Sequence, residues 1–166
     1  PQFRSSAASD VYKRQQLSVQ LDFTNRRVDI VDEGFDVAIR TGALPDSSLI
    51  ARRLCPRREY VVGSPAYFER HARPHTLGEL GGHNCLQGSS EQWAFDVDGQ
   101  HRHSKVQGNW KGNSGVALLD AARKGIGLVQ LPDYYVADDL ARGDLVSVLD
   151  QYACTHTAVW VCLLYT

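Results

Sequence analysis

Hydrophobic and polar positions alternate at the start of the chain: Leu17, Val19, Leu21 and Phe23 are separated by polar residues. That period of two is the signature of a strand buried on one face. Thr24 or Asn25 is placed to cap a short helix over residues 26–33, whose Val28 and Val31 lie one turn apart, and Gly34 supplies the left-handed residue that ends it. Phe35-Asp36-Val37-Ala38-Ile39 is the next strand, and Arg40-Thr41-Gly42 leaves it as a loop. A strand, a short helix and a second strand are the building block of a parallel sheet.

Residues 43–48 carry Pro, Asp and Ser and predict a turn. Two β-like runs follow, residues 48–54 and 59–62, with Cys55-Pro56 between them. Ser64-Pro65 predicts a helix start, because proline's missing N–H costs nothing in the first turn, and the helix runs over residues 65–71. Thr76-Leu77-Gly78-Glu79 has capping-box spacing for a second short helix closed by Gly81-Gly82. Asn84-Cys85-Leu86-Gln87 predicts a strand leading into the turn Gly88-Ser89-Ser90. Residues 93–97, Asp98-Gly99 and the polar stretch to Val106 predict a β-hairpin, since Asp-Gly favours the tight primed turn. Asn113-Ser114 caps a helix over residues 115–124 with Val116, Leu119 and Ala122 as its buried stripe and Gly125 as its end. An apolar strand over residues 126–131 stops at Pro132. Asp133 caps a helix over residues 134–142 ended by Gly143, and residues 145–149 form the last strand. The order of elements is that of an α/β protein.

The chain has 166 residues, 18 basic against 19 acidic side chains, and 43% hydrophobic residues. Such a composition suits a soluble globular domain or two small lobes. No apolar run approaches the ~20 residues needed to cross a bilayer. A near-zero net charge argues against grip on nucleic acid through a broad basic surface. Cys55, Cys85, Cys154 and Cys162 are far apart with no CxxC pair, as expected of thiols in a reducing compartment such as the cytoplasm.

Both ends carry a different signal. Ser5-Ser6-Ala7-Ala8-Ser9-Asp10-Val11-Tyr12-Lys13-Arg14-Gln15 resembles the translation of a transposon-type sequencing adapter, and Cys162-Leu163-Leu164-Tyr165-Thr166 resembles the translated reverse complement of its end. On this reading residues 1–15 and 162–166 are non-native and the mildly acidic remainder is a fragment. The alternative is a short polar arm and a final strand.

Three stretches carry a family resemblance. They are Val28-Asp29-Ile30-Val31-Asp32-Glu33-Gly34-Phe35-Asp36-Val37-Ala38-Ile39-Arg40-Thr41-Gly42, then Val61-Val62-Gly63-Ser64-Pro65-Ala66-Tyr67-Phe68, then Asn113-Ser114-Gly115-Val116-Ala117-Leu118-Leu119 with Gly125-Ile126-Gly127-Leu128-Val129-Gln130-Leu131-Pro132. In this order and at these separations they resemble the effector-binding domain of LysR-type transcriptional regulators. The resemblance implies a two-lobe fold like a type 2 periplasmic binding protein, with a small-molecule cleft between the lobes. It implies that residues 16–60 are part of lobe I, 61–152 are lobe II and 153–161 begin the return crossover. The first strand and helix of lobe I and the N-terminal winged helix-turn-helix are then missing. It also implies homo-oligomers, with DNA contacted only through that missing domain and no membrane partner.

A cleft of this kind uses strand C-termini and helix N-termini, where unpaired N–H groups favour anionic or carbonyl groups. Arg40 is placed for a bidentate pair with a carboxylate, or for a structural ion pair, and Thr41-Gly42 offers a hydroxyl and an approachable backbone. Gln87-Gly88-Ser89-Ser90 is a second candidate contact, or an ordinary turn. Trp93 is a stacking platform or core. Asn113, Ser114 and Ser64 are helix caps that double as candidate ligand contacts. The effector class this suggests is an organic acid or amino acid.

Catalytic motifs are missing: no Gly-x-Ser-x-Gly, P-loop or HExxH occurs. His101-Arg102-His103 lies on a polar hairpin, where solvated surface outweighs a metal site. His83 near Cys85 lacks a third orienting group. Gly125-Ile126-Gly127 follows a helix instead of preceding one, so it is no dinucleotide fingerprint. Arg52, Arg53, Arg57 and Arg58 read as a solvated edge. The expectation is a sensor with no enzymatic activity and no cofactor; a free-standing solute-binding protein of a transport system is the alternative.

Overall fold

A computed structural model describes residues 18–24, 26, 29–30, 32–42, 50–155 and 157–163. The strands are β1 (Val37–Gly42), β2 (Ile50–Arg57), β3 (Glu59–Gly63), β4 (Cys85–Leu86), β5 (Gln92–Val97), β6 (Gln100–Lys105), β7 (Leu128–Pro132), β8 (Val146–Val148) and β9 (Thr157–Leu163). The α-helices are α1 (Pro65–Phe68), α2 (Gly115–Arg123) and α3 (Asp133–Arg142), and two 3₁₀ turns cover Leu77–Gly82 and Asp150–Tyr152.

These strands form two sheets and a hairpin. The first sheet has the order β1-β9-β2 and is antiparallel throughout. The second has the order β4-β7-β3-β8, with β4 parallel to β7 and the other pairs antiparallel. β5 and β6 pair through Asp98 and Gly99, both at positive φ, which is the primed turn that Asp-Gly predicts. The chain passes from the first sheet to the second at Arg58 and returns between Cys154 and Thr157. The two crossings touch: the Glu59 N–H donates to the Cys154 carbonyl at 3.4 Å, and the Thr157 hydroxyl donates to the Arg57 carbonyl at 2.9 Å.

The core lies on both faces of the second sheet. One cluster joins Val61, Tyr67, Leu80, Cys85, Trp93, Phe95, Val106, Leu128 and Val148; the other joins Val62, Leu86, Val129, Leu131 and Val136 to α2. Leu118, Leu119, Ala121 and Ala122 are the buried face of α2, while Val116 is 64% exposed. Leu119 and Ala122 of the expected stripe are buried, whereas Val116 sits in the first turn on the solvent side and Leu118 packs inward in its stead.

Several expectations are corrected. Residues 18–24 form no strand although they alternate; Val19, Leu21 and Phe23 are 54%, 71% and 89% exposed. A strand needs a neighbour to take its backbone hydrogen bonds, and none pairs with it among the described residues. The helix over residues 26–33 and the turn over 43–48 fall wholly or partly outside the described residues. What is seen is a turn in which the Glu33 N–H donates to the Asp29 carbonyl, Ile30 is buried and Gly34 is left-handed, as expected. β2 runs straight through Cys55-Pro56 with a bulge after Arg53, because it is an edge strand and proline is tolerated where no ladder donor is needed. α1 stops at Phe68 and continues only as a turn. The capping-box segment is 3₁₀: Glu79 accepts from the His75 N–H at 2.7 Å and from the Thr76 hydroxyl at 2.9 Å, one residue before the box position. Pro132 ends β7 from within, and Asp133 is the first residue of α3, not its cap. β9 extends through Cys162 and Leu163, the first two residues of the adapter-like C-terminal segment.

Candidate functional site

The parallel strand β4 is short because its two residues are followed by a turn, and that turn is held from the side. The Gln87 N–H donates to the Trp110 carbonyl and the Gly112 N–H donates to the Gln87 carbonyl, both at 2.9 Å. The Gln87 side-chain amide donates to the Val106 carbonyl at 2.7 Å. Glu91, just past the turn, pairs with Lys111 at 2.8 Å, and that ammonium holds its carboxyl below the ordinary range. Residues 87–91 and 110–112 are thus tied by two backbone hydrogen bonds and an ion pair. Gly88 faces Leu118 of α2, with 3.8 Å from its would-be Cβ to the leucine Cδ1.

Ser114 caps α2, its oxygen accepting the Ala117 N–H at 3.3 Å. Asn113 and Ser114 are exposed, as are Ser89 and Ser90. The Ser90 hydroxyl oxygen accepts the Gln92 N–H at 3.0 Å. Of the expected positions, Gln87 meets Trp110 and Gly112, which lead into Asn113 and Ser114, and Gly88 meets Leu118 one turn inside α2. Together they place a strand C-terminus and a helix N-terminus at one end of the second sheet, the arrangement that offers N–H groups to an anion or carbonyl.

The remaining positions behave differently. Arg40, Thr41 and Gly42 are the end of β1 and not a loop. Register pairs Arg40 with Trp160, Thr41 with Val159 and Gly42 with Ala158, so Arg40 and Gly42 share a face with Trp160 while Thr41 points the other way. The Trp160 indole N–H donates to the Gly42 carbonyl at 2.9 Å. Only one side of this triplet can meet a given ligand. Trp93 is buried in the core with Phe95 and Val106 and is no stacking platform; it falls on the inward phase of β5. Ser64 is buried and its hydroxyl oxygen accepts the Tyr67 N–H at 3.3 Å, which is its capping role.

Trp110 and Lys111 were missed. Trp110 is a partly exposed indole beside the turn, and the backbone of Trp110–Gly112 is what fixes Gln87. The signal was available in Trp110-Lys111-Gly112, an aromatic and a cation ahead of a glycine, but nothing local ties it to Gln87. Among the described residues no three His, Cys, Asp or Glu side chains group as a metal site. His101 is nevertheless more than solvated surface, since its Nδ1 lies 3.4 Å from the buried Cys154 Sγ. His83 and Cys85 are separately engaged: His83 Nδ1 meets the Tyr67 hydroxyl at 3.0 Å, and burial pushes the Cys85 thiol up to about 12. No helix of the described residues is long and apolar enough to cross a membrane.

Comparison with known proteins identifies the family and the fold. Residues 7–164 match the model of the LysR substrate binding domain. An uncharacterized HTH-type transcriptional regulator of Haemophilus influenzae is 31% identical over 144 residues, covering 84% of this chain and 50% of the relative. The HTH-type transcriptional regulator CrgA of Neisseria meningitidis is 34% identical over 134 residues, 78% of this chain and 44% of CrgA. The chain thus spans about half the length of these relatives. The solved CrgA regulatory domain superposes with a TM-score of 0.78 at 29% identity, over 96% of this chain and 80% of that one. Full-length AphB of Vibrio cholerae superposes with a TM-score of 0.84 at 24% identity, over 98% of this chain and 57% of AphB, a likeness of fold. The architecture is the two-lobe, type 2 periplasmic-binding-protein-like α/β fold, with β1, β9 and β2 in one lobe and the four-stranded sheet in the other. The chain belongs to the LysR substrate-binding domain family.

Proposed function

We propose that this chain is the effector-sensing part of a bacterial, cytoplasmic transcription regulator, and that it performs no catalysis. A small organic acid or amino acid binds between the lobes. Its binding favours one lobe arrangement, and the shift is bounded by its differential affinity for the two states. In the whole protein that arrangement biases an oligomer and, through it, a helix-turn-helix lying outside these 166 residues.

One observation carries the reading: the Gln87–Ser90 turn at the end of β4 is locked beside the capped start of α2. Fixed N–H groups and the Ser89 hydroxyl then meet ligand at little cost in ordering. Thr41, exposed at the end of β1, is the candidate hydroxyl from the other lobe. The same reading takes residues 16–60 as lobe I, 61–152 as lobe II and 153–161 as the return crossover, with the sheets changing over two residues before that first boundary, at Arg58. It treats residues 1–15 and 162–166 as adapter-derived, which sequencing the genomic locus tests.

The function is tested by restoring the full gene and recording DNase footprints with a panel of organic and amino acids. At least one compound changes the footprint of the wild type. The double variant Thr41→Val, Ser89→Ala loses that response while its thermal melt is unchanged. A footprint indifferent to the whole panel counts against the sensor reading, and an intact response in the double variant counts against these two contacts.

A further inference from the structure

Outside the candidate site, the strongest unexplained cluster is polar and sits at the head of β4. Tyr67, 1% exposed on α1, stacks on His71 with ring centroids 4.3 Å apart and 13° between planes. Its hydroxyl oxygen accepts the Asn84 N–H at 3.2 Å. The same oxygen lies 3.0 Å from His83 Nδ1. The Tyr67 oxygen already accepts one hydrogen bond, and burial pushes its phenol pKa up, so it keeps its single proton. That proton finds its acceptor in His83 Nδ1 when His83 is the neutral imidazole with hydrogen on Nε2.

Asn84 is the residue this arrangement holds. Its carbonyl accepts the Leu128 N–H at 2.9 Å, its side-chain amide donates to the Ile126 carbonyl at 2.8 Å and to Asn109 Oδ1 at 2.9 Å, and the Asn109 N–H returns to Asn84 Oδ1 at 2.9 Å. Three residues further on is Gln87, the start of the candidate turn.

We propose that His83 is an acid-sensitive catch on β4: neutral, its Nδ1 accepts the Tyr67 O–H hydrogen bond and leaves the phenolic oxygen to hold the Asn84 N–H, and protonated, it breaks that arrangement. With Nδ1 protonated, two donors face each other at 3.0 Å. Relief requires Tyr67 to turn its proton elsewhere in a buried site or to release His83. The groups facing His83 are known from each neighbouring element. His71, on the turn after α1, opposes its charge; Glu79, on the 3₁₀ turn, favours it; burial is the largest cause of the lowered pKa. Arg70 and the Cys85 thiol act on Tyr67, and His71 Nδ1 donates to the Tyr67 carbonyl at 3.1 Å. The sign follows. A histidine whose folded pKa is depressed favours the fold most above its ordinary value of about 6.5, and that contribution is lost as the pH falls from there to the folded pKa.

The test is a pH titration of the 166-residue chain by NMR, following histidine Cε1–H signals and the Asn84 amide together. The Asn84 amide shifts with the His83 midpoint and not with the His71 midpoint. In His83→Asn, whose Oδ1 keeps an acceptor where Nδ1 was, the Asn84 shift becomes flat across the same range. The urea midpoint of the wild type falls on acidification through the His83 transition, and that step is lost in the variant. An Asn84 amide that stays still while His83 titrates, or one that follows His71, overturns the proposal. So does an Asn84 titration that persists in His83→Asn. Should that variant not fold, the wild-type midpoints alone decide. None of these readouts needs an effector, so the result is independent of the proposed function.

Discussion

Arg123 of α2 grips Asp139 of α3 with both sides of its guanidinium, Nε to Oδ1 at 2.8 Å and Nη2 to Oδ2 at 2.6 Å. Asp139 is 1% exposed, and Arg142 adds a bond to Oδ1 at 2.8 Å. The two helices that cover one face of the second sheet are thus joined through one buried carboxylate with all its strong partners present. Removing it leaves two guanidinium groups that still reach water, so the loss lies below that of stranding a buried charge. Asp139→Ala is expected to cost about 2 kcal/mol, read as a lower urea midpoint. Asp139→Asn should lose less, because the amide oxygen retains one acceptor. Arg123→Ala should destabilise more than Arg142→Ala, since Arg123 gives the buried carboxylate two bonds and ties α2 to α3, whereas Arg142 gives it one from within α3.

Two glycines close on the backbone at the head of β4. A Cβ on Gly108 would lie 2.0 Å from the Cys85 carbonyl oxygen, and one on Gly127 would lie 2.2 Å from the Asn84 carbonyl oxygen. Neither neighbour is a flexible side chain, so relief requires β4 to leave its place between β7 and the 107–111 segment. Gly108→Ala and Gly127→Ala should each cost about 3 kcal/mol or more. Gly81→Ala, with open space around it, should stay within about 0.5 kcal/mol of wild type. Because β4 leads into Gln87, each damaging variant should also abolish any effector response.

These glycines mark where sequence reading runs out. Local rules located the primed turn at Asp98-Gly99, the Ser64 and Ser114 caps and the left-handed ends at Gly34, Gly125 and Gly143, because each depends on neighbours within four residues. The tight approach of Gly108 to Cys85 and of Gly127 to Asn84 depends on pairing 23 and 43 residues away, and no periodicity reports it. The same limit separates the site residues. Gln87 to Ser90 and Asn113-Ser114 were legible as strand end and helix start, whereas their union through Trp110 and Lys111 was not. Trp93 could be read from the sequence as core or as stacking platform, because alternation gives the phase of a strand but not which face is core. Arg40-Thr41-Gly42 was taken as a loop because the partner that keeps it in a strand, β9, lies more than 100 residues away.

The four thiols should separate by burial. Cys55 is partly exposed on the edge strand β2, whereas Cys85, Cys154 and Cys162 are buried. The thiolate is the reactive form, and the Cys85 thiol, pushed up to about 12, has almost none at neutral pH. With a disulfide reagent at pH 8, Cys55 should react first and Cys85 only on unfolding in urea. Mass mapping of labelled peptides over time checks the order. Early labelling of Cys85 would contradict its burial beneath Leu80.

The two lobes should also differ in how easily they open. In the first sheet, register sets Val37, Leu163 and Ile50 in one row and Ile39, Val161 and Arg52 in the next, all on one face. Val37, Ile39 and Ile50 are each about half exposed or more, so this face buries little apolar surface. β1 and β2 are edges, and their outer N–H groups have no ladder partner among the described residues. The second sheet, by contrast, is packed on both faces by the clusters around Tyr67 and α2. Local opening free energy follows buried apolar contact. Hydrogen exchange should therefore release the amides of β1, β9 and β2 well before those of β3 and β7. Ile39→Thr, on the open face, should leave the second sheet's exchange unchanged and shift overall stability by less than about 0.5 kcal/mol. Leu128→Ala, in the closed core, should cost about 3 kcal/mol and speed exchange throughout β7. Uniform exchange across both sheets would show that the uncovered face is protected as one cooperative unit with the rest.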